Sequence, residues 1–321
     1  MPDANDGGMS IQGNPTPAFQ QAMKQVQAEK TEGGGEAAPP AQQPAKQRPP
    51  MGPTTAPTGP LQDMLKDLQV LNYEEVVLPS RGVFYSDDSV LSGGVLHVRP
   101  MTGAEEEILA TPRYVKKNEA IDMIFRKCSQ EDYNPLDLLT IDRTFLLIWL
   151  RGISYSNEYE VEVKCPECDA KGGQVINLNA LEVNYCPEDF GSANMMGTLP
   201  KTNYKFAYKL STGRDENKVN AYREKRVRQF GATGTDDTLT YRTAQLLNNI
   251  GEIDDANSLT ILLKRLPISD VSYLRSLVND PPFGVDTEVD LVCPSCTADF
   301  NIDMPLEAGF FFPQYKRKEE E

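Results

Sequence analysis

Cys165-Pro166-Glu167-Cys168 and, 128 positions later, Cys293-Pro294-Ser295-Cys296 decide how this chain is read. A two-residue gap lets one tight turn present two thiolates to one metal ion, and zinc takes four such soft ligands at tetrahedral vertices. Each pair supplies half a site. Brought together, Cys165, Cys168, Cys293 and Cys296 complete one, and the two ends of the intervening sequence are then tied to each other.

Strand-like sequence frames both knuckles. Tyr159-Glu160-Val161-Glu162-Val163-Lys164 leads into the first with the alternation of a half-buried strand. Ile176, Leu178 and Ala180 alternate after it, with Gly172-Gly173 marking the turn. Val289 and Leu291 alternate with Glu288 and Asp290 before the second knuckle, and Ala298, Phe300, Ile302 and Met304 alternate with Asp299, Asn301 and Asp303 beyond it. A strand–CPxC–strand unit therefore occurs twice, which is how zinc ribbons are built. The other uses of four such thiols are an unfilled site, a redox dithiol or disulfides. Disulfides are the least expected, because no leader directs the chain to an oxidising compartment. Cys186-Pro187-Glu188-Asp189 reads as an incomplete third knuckle, so Cys186 is expected to be a free thiol, with replacement of one ligand as the alternative. Cys128 falls on the apolar side of a predicted helix and reads as a small buried residue.

The predicted class is α+β: two strand–CPxC–strand units forming a zinc ribbon, a helical insertion between them and a disordered N-terminal tail. Residues 1–60, rich in Pro, Gly and Gln, cannot bury enough apolar surface to offset their ordering entropy. Residues 61–72 form a short amphipathic helix carrying Leu61, Met64, Leu65, Leu68 and Leu71, which packs on its own domain or docks a partner. The first half of the body, with the first knuckle, covers 73–200, and a mostly helical insertion covers 201–284. The second knuckle and a C-terminal strand occupy 285–314, and 315–321 is a charged tail. Within the body, Val76 to Tyr85 is extended and turns at Arg81-Gly82, a strand follows at Val95 to Val98, and Thr102 with Glu105 forms a capping-box pattern. Ala120, Ile121, Ile124, Phe125 and Cys128 mark one helical face, and Ile141, Phe145, Ile148 and Trp149 another. In the insertion, Val219, Tyr222, Val227 and Phe230 share a helical face, as do Leu239, Leu246, Leu247 and Ile250. Phe310, Phe311 and Phe312 cannot all point to one side of a strand. Phe311 is therefore expected to be covered by another element or exposed as an aromatic docking anchor.

Composition narrows the function. The chain has 321 residues and a net charge of −15, and its longest wholly apolar run, Phe145 to Leu150, is far too short to span a bilayer. A soluble chain without membrane association is expected. One histidine, His97, and one tryptophan, Trp149, leave little for histidine-based catalysis. Walker, G-x-G-x-x-G, HExxH and G-x-S-x-G motifs are missing from the sequence. A zinc ion held by four cysteines has no vacant position for water or substrate. Glu105, Glu106 and Glu107 read as a solvated run at a helix start, favoured by the helix dipole. The chain is read as a non-enzyme. A basic stretch at 201–230 holds Lys201, Lys205, Lys209, Arg214, Lys218, Arg223, Lys225, Arg226 and Arg228 against Asp215, Glu216 and Glu224. It reads as a solvated helix face or as a patch that docks on an acidic partner subunit. The alternative is a zinc-ribbon nucleic-acid-binding protein, which the overall negative charge opposes.

One resemblance runs through the body. Leu78-Pro79-Ser80-Arg81-Gly82-x-Phe84-Tyr85, followed by Val98-Arg99-Pro100-Met101-Thr102-Gly103-x-Glu105-Glu106-x-Ile108-Leu109, resembles the opening of the baseplate hub and hub-assembly proteins of T-even-type contractile-tailed bacteriophages. Asp142-Arg143-x-x-Leu146-Leu147-x-x-Leu150-Arg151-x-x-Ser154-Tyr155, Gly284-Val285-Asp286 and Phe310-Phe311-Phe312-Pro313 extend it. The similarity covers about 75–313, least around 201–250, and the proline-rich tail departs from it. It implies a structural or assembly protein that contacts other baseplate or tail subunits. The implied location is the virion tail baseplate, or the host cytoplasm during assembly.

Overall fold

The structure, a computed structural model, describes residue 64 and residues 72–116, 119–231, 237–306 and 308–311. The expectations for 1–60, for the helix at 61–72 apart from an exposed helical Met64, for Phe312 and for 315–321 lie outside the described residues, as does the side chain of Phe230.

Strand β1 (Glu74–Val77) pairs antiparallel with β2 (Val95–Val98), Glu74 opposite Val98 and Val77 opposite Val95. The chain between them turns where the sequence predicts. Arg81 and Gly82 have φ of 51° and 81°. A Cβ on Gly82 would lie 2.2 Å from the Ser92 carbonyl oxygen, so only glycine passes here.

Four helices follow: α1 (Gly103–Ala110), α2 (Pro112–Lys116), α3 (Glu119–Cys128) and α4 (Thr140–Ser154). Thr102 and Glu105 form the reciprocal capping box that starts α1. Glu105 is not solvated, however: it is 2% exposed and pairs with Arg99 at 3.1 Å. Burial opposes its charge, but the Arg99 guanidinium and the Thr102 hydroxyl and amide outweigh burial and hold the carboxyl at about 2.

Helix α4 is the spine. Near its start the buried Asp142 accepts the Ser80 amide at 3.0 Å, the Ser80 hydroxyl at 2.6 Å and the Tyr85 hydroxyl at 2.6 Å. Tyr85 in turn accepts the Leu139 amide at 2.9 Å. Burial pushes the Asp142 carboxyl up, and these donors counter it. In its last turn the buried Arg151 donates to the carbonyls of Phe310 at 2.6 Å and Ser156 at 3.1 Å. One helix thus anchors both the opening turn and the C-terminal turn.

The remaining elements are β3 (Glu158–Lys164), β4 (Lys171–Asn177), β5 (Val183–Asn184), β6 (Met196–Thr198), β7 (Lys205–Tyr208), α5 (Gly213–Phe230), α6 (Thr238–Leu246), β8 (Leu247–Ile250), α7 (Ala256–Leu263), α8 (Ile268–Asn279), β9 (Gly284–Val285), β10 (Glu288–Val292) and β11 (Asp299–Asp303). All pairings are antiparallel: β3 with β4, β10 with β11, β5 with β9, and β6-β7-β8 as one sheet. The class is α+β.

Two apolar cores result. The first gathers β1, β2, α1, α3, much of α4 and the first hairpin with Met304, Phe310 and Phe311. The second gathers Phe206, Tyr208, Leu246, Leu247, Ile250 and the inner faces of α7 and α8. Asp270, fully buried at the start of α8, accepts the amides of Lys201 and Thr202 at 2.8 and 3.1 Å and so fixes the loop before β7.

Two expected helical faces are corrected, and the covered alternative holds for Phe311. Leu239, Leu246, Leu247 and Ile250 do not share a helix. Leu239 is 50% exposed, and the chain becomes a strand at Leu247, where pairing with β7 buries Leu247 and Ile250 together. Asn248-Asn249 favour the change, being poor helix formers. Val219, Tyr222 and Val227 do not form a core-facing stripe, since Val227 is half exposed and none of the three belongs to either core. Phe311 is not an exposed anchor. It is 3% exposed in a 3-10 turn (Ala308–Phe311), where Phe310 meets Tyr159 at 4.9 Å and Phe311 at 5.3 Å. Three residues per turn let neighbouring side chains both turn inward, which a strand forbids.

Gly82→Ala will lower stability by about 2–4 kcal/mol, because the new Cβ collides with backbone rather than with a movable side chain. Urea denaturation followed by circular dichroism will show a lower midpoint at unchanged slope.

Candidate metal centre

The two knuckles are built alike, atom for atom along the backbone. In the first, the Cys165 amide donates to the Ala170 carbonyl at 2.9 Å, and the Asp169 amide to the Cys165 carbonyl at 3.0 Å. In the second, the Cys293 amide donates to Ala298 and the Thr297 amide to Cys293, both at 2.9 Å. Asp169 and Thr297, the fifth residue of each, sit in the left-handed region with φ of 57° and 59°. That turn brings both sulfurs of a pair to one side. The internal repeat seen in the strands therefore extends through the knuckles.

The hairpins meet with their sulfurs facing. Cys165 Sγ lies 3.7 Å from Cys296 Sγ, and Cys168 Sγ 3.7 Å from Cys293 Sγ. All four sulfurs fall within 4.8 Å of one another. Zinc–sulfur bonds of about 2.3 Å around a tetrahedron put the sulfurs about 3.8 Å apart, so the spacing fits one tetrahedral ion. It is too wide for a disulfide. Gln174 Nε2 donates to the Val292 carbonyl at 3.0 Å and joins the hairpins beside the sulfurs. Gly172 lies against the Pro294 ring, where a Cβ would sit at 3.4 Å. Cys165 and Cys293 are buried while Cys168 and Cys296 reach the surface, so the site lies at the rim of the fold.

Cys293 and Cys296 are pulled in opposite directions. Backbone amides of Cys296 and Ser295 draw the Cys293 thiol down to about 6. Cys296 receives an amide from Ala298 that lowers it, yet the neighbouring thiols of Cys168, Cys293 and Cys165 push it up to about 12. A bound cation removes that mutual repulsion. Four sulfur donors fill four vertices, which suits a structural role and leaves no position for a substrate.

The other two cysteines stay apart. Cys186 is buried in the second core, its thiol 3.7 Å from the Pro187 carbonyl and 3.8 Å from that of Phe190. Cys128 is fully buried in α3, and burial pushes its thiol to about 12. The carboxylates of Asp142, Asp215 and Asp270 organise the fold from inside; the sequence shows Asp142 in the resemblance and Asp215 among the counter-charges of the basic stretch, but not their burial. A helix-start position is their one common signal, since each lies in the first turn of its helix.

The basic stretch is partly neutralised from within. Lys209 and Lys218 pair with Asp215, Arg214 with Asp137, Arg226 with Asp237 and Arg228 with Glu224.

Residues 83–196 match the family model described as T4 bacteriophage base plate protein. The match supports a phage baseplate protein. It takes in α1 to α4 and the first knuckle, and it stops before the insertion and the second knuckle. No curated protein and no solved structure matches the chain. Among the described residues, no helix is long and apolar enough to cross a membrane.

Zinc analysis of the purified chain will find about one ion per chain. Cys165→Ser and Cys293→Ser will each lose most of it and lower the melting temperature, since metal affinity here is folding energy. Well-folded, metal-free protein would refute the assignment, as would zinc loss in Cys186→Ser with retention in Cys293→Ser.

Proposed function

We propose that this chain is a non-enzymatic structural or assembly protein of a bacteriophage tail baseplate hub, acting through protein–protein contacts. The observation that carries the reading is the match of residues 83–196 to the T4 base plate protein model. The hub assignment rests further on the order of Ser80-Arg81-Gly82, Asp142-Arg143 and Arg151, the residues through which α4 holds the opening and closing turns. Cys165, Cys168, Cys293 and Cys296 bind structural zinc in this reading, and the ion clips the hairpins on either side of the insertion. Such an ion stabilises shape and performs no chemistry. The partners are other baseplate or tail subunits. The protein resides in the tail baseplate, or in the host cytoplasm while tails assemble.

Peptide mass spectrometry of purified particles, paired with deletion of the gene, tests this reading. A stoichiometric signal in particles identifies a component. Absence from particles combined with defective tails on deletion identifies an assembly factor. Normal infectious tails on deletion, with no signal in particles, would sink the proposal.

A further inference from the structure

Helix α5 is out of keeping with the rest of the body. It runs for 18 residues, yet among those whose side chains are described none joins either apolar core. Its attachments are polar or aromatic: Tyr222 stacks on Tyr241 with ring centroids 3.9 Å apart, Arg242 reaches Glu216 at 3.2 Å, and Arg226 reaches Asp237 at 3.1 Å. A helix that is polar all round and off the core is typically stabilised by its pairs or bridges to something else. Away from α6, Arg214, Lys218, Lys225 and Arg228 fall within about a quarter of the helix circumference. All four are exposed. The pairs that Arg214 and Arg228 make with Asp137 and Glu224 are surface pairs, weak and easily exchanged, while Lys218 reaches the buried Asp215 at 3.4 Å. This stripe is about 20 Å long.

The complementary surface is on the metal-clipped hairpin β10–β11. Alternate residues point outward, and on that face stand Glu288, Asp290, Val292, Asp299, Asn301 and Asp303. Neither strand contains a lysine or arginine. Glu288 lies directly opposite Asp303 in the ladder, a like-charge pair that destabilises an isolated hairpin. Val292, at the middle of the face's far end, is 56% exposed. The chain as a whole carries a net charge of −15, so a basic stripe and a sheet face with four carboxylates and no cation are set against that background.

We infer that the α5 stripe of one copy docks on the outer face of β10–β11 of a second copy. Four cations meet four carboxylates, and the exposed Val292 adds apolar area at the margin. Two different surfaces are joined, so the contact is head-to-tail: it closes into a ring if the rotation permits and otherwise continues as an open chain. The inference stands independently of the baseplate reading, because it concerns copies of this chain alone.

Sedimentation velocity of the full chain tests it. At about 50 mM NaCl the protein will sediment as concentration-dependent oligomers, and at about 500 mM, where screening shortens to a few ångström, as monomer. K225E/R228E and D290K/D303K will each weaken self-association at least about tenfold. Mixed together, the two reversed variants will associate again, because each then offers the other a complementary pair of surfaces. Circular dichroism and zinc content will be unchanged, and K225Q/R228Q gives a neutral check should a reversed variant fold poorly. A wild-type chain that is monomeric at low salt overturns the inference, and so do oligomers indifferent to both reversals or failure of the mixture to associate. Binding of the wild type to DNA at low salt, lost in K225E/R228E, with no self-association, would assign the stripe to nucleic acid instead.

Discussion

Four sulfurs within 4.8 Å of one another, contributed by turns 128 positions apart, constrain everything between them. The intervening chain must leave and return to one point. Pairing of β5 with β9, Val183 opposite Val285, repeats that closure a little further along. The hydrogen bond from Gln174 to the Val292 carbonyl does so again beside the sulfurs. A cross-link that closes a loop of this length restrains the unfolded chain by about 4–5 kcal/mol on the chain-entropy account. The left-handed residues Asp169 and Thr297 are part of the same economy: without them the second thiol of each pair would not turn back toward the first.

The hairpins need a body to stand on, and α4 organises it. Leu139 at its N-cap belongs to the second core, while Phe145, Leu146 and Ile148 belong to the first. Its two buried charges are each satisfied, Asp142 by Ser80 and Tyr85, Arg151 by the carbonyls of Phe310 and Ser156. Buried charges are tolerated only when so compensated, and they hold specific backbone segments because the alternatives would leave them bare. This explains how the turn at Arg81-Gly82, the helix and the C-terminal turn come to form one unit across more than two hundred residues of sequence. The family match covers most of that unit's N-terminal part.

The insertion follows a different logic. Its own core is made by a small sheet and the three helices α6, α7 and α8, while the described side chains of α5 lie outside that core and are held by stacked tyrosines and ion pairs. Apolar burial gives the insertion its stability, and surface charge gives α5 its character. Basic helix and acidic hairpin occur on one folded body, and this separation of charge follows from how the insertion is threaded between the two hairpins.

Local chemistry was legible in the sequence. The CPxC turns, the strand before the first and the strands around the second, the Thr102–Glu105 cap and the turn at Arg81-Gly82 depend on residues a few positions apart, and all are present in the structure, whereas β4 runs through Gly172-Gly173 and Leu178–Ala180 is a 3-10 turn. That four cysteines come together was also readable, because two half-sites of one chemistry imply a whole. The tertiary structure alone decided that Leu247 leaves its helix for a strand, that Glu105 is buried against Arg99, that Phe311 turns inward and that α5 stands clear of the core. The deciding partner is β7 for Leu247, Arg99 for Glu105, Tyr159 and Arg151 for the C-terminal turn, and α6 for α5. Periodicity states which face of an element is apolar, but burial depends on what lies across from that face, and only the assembled fold supplies that neighbour.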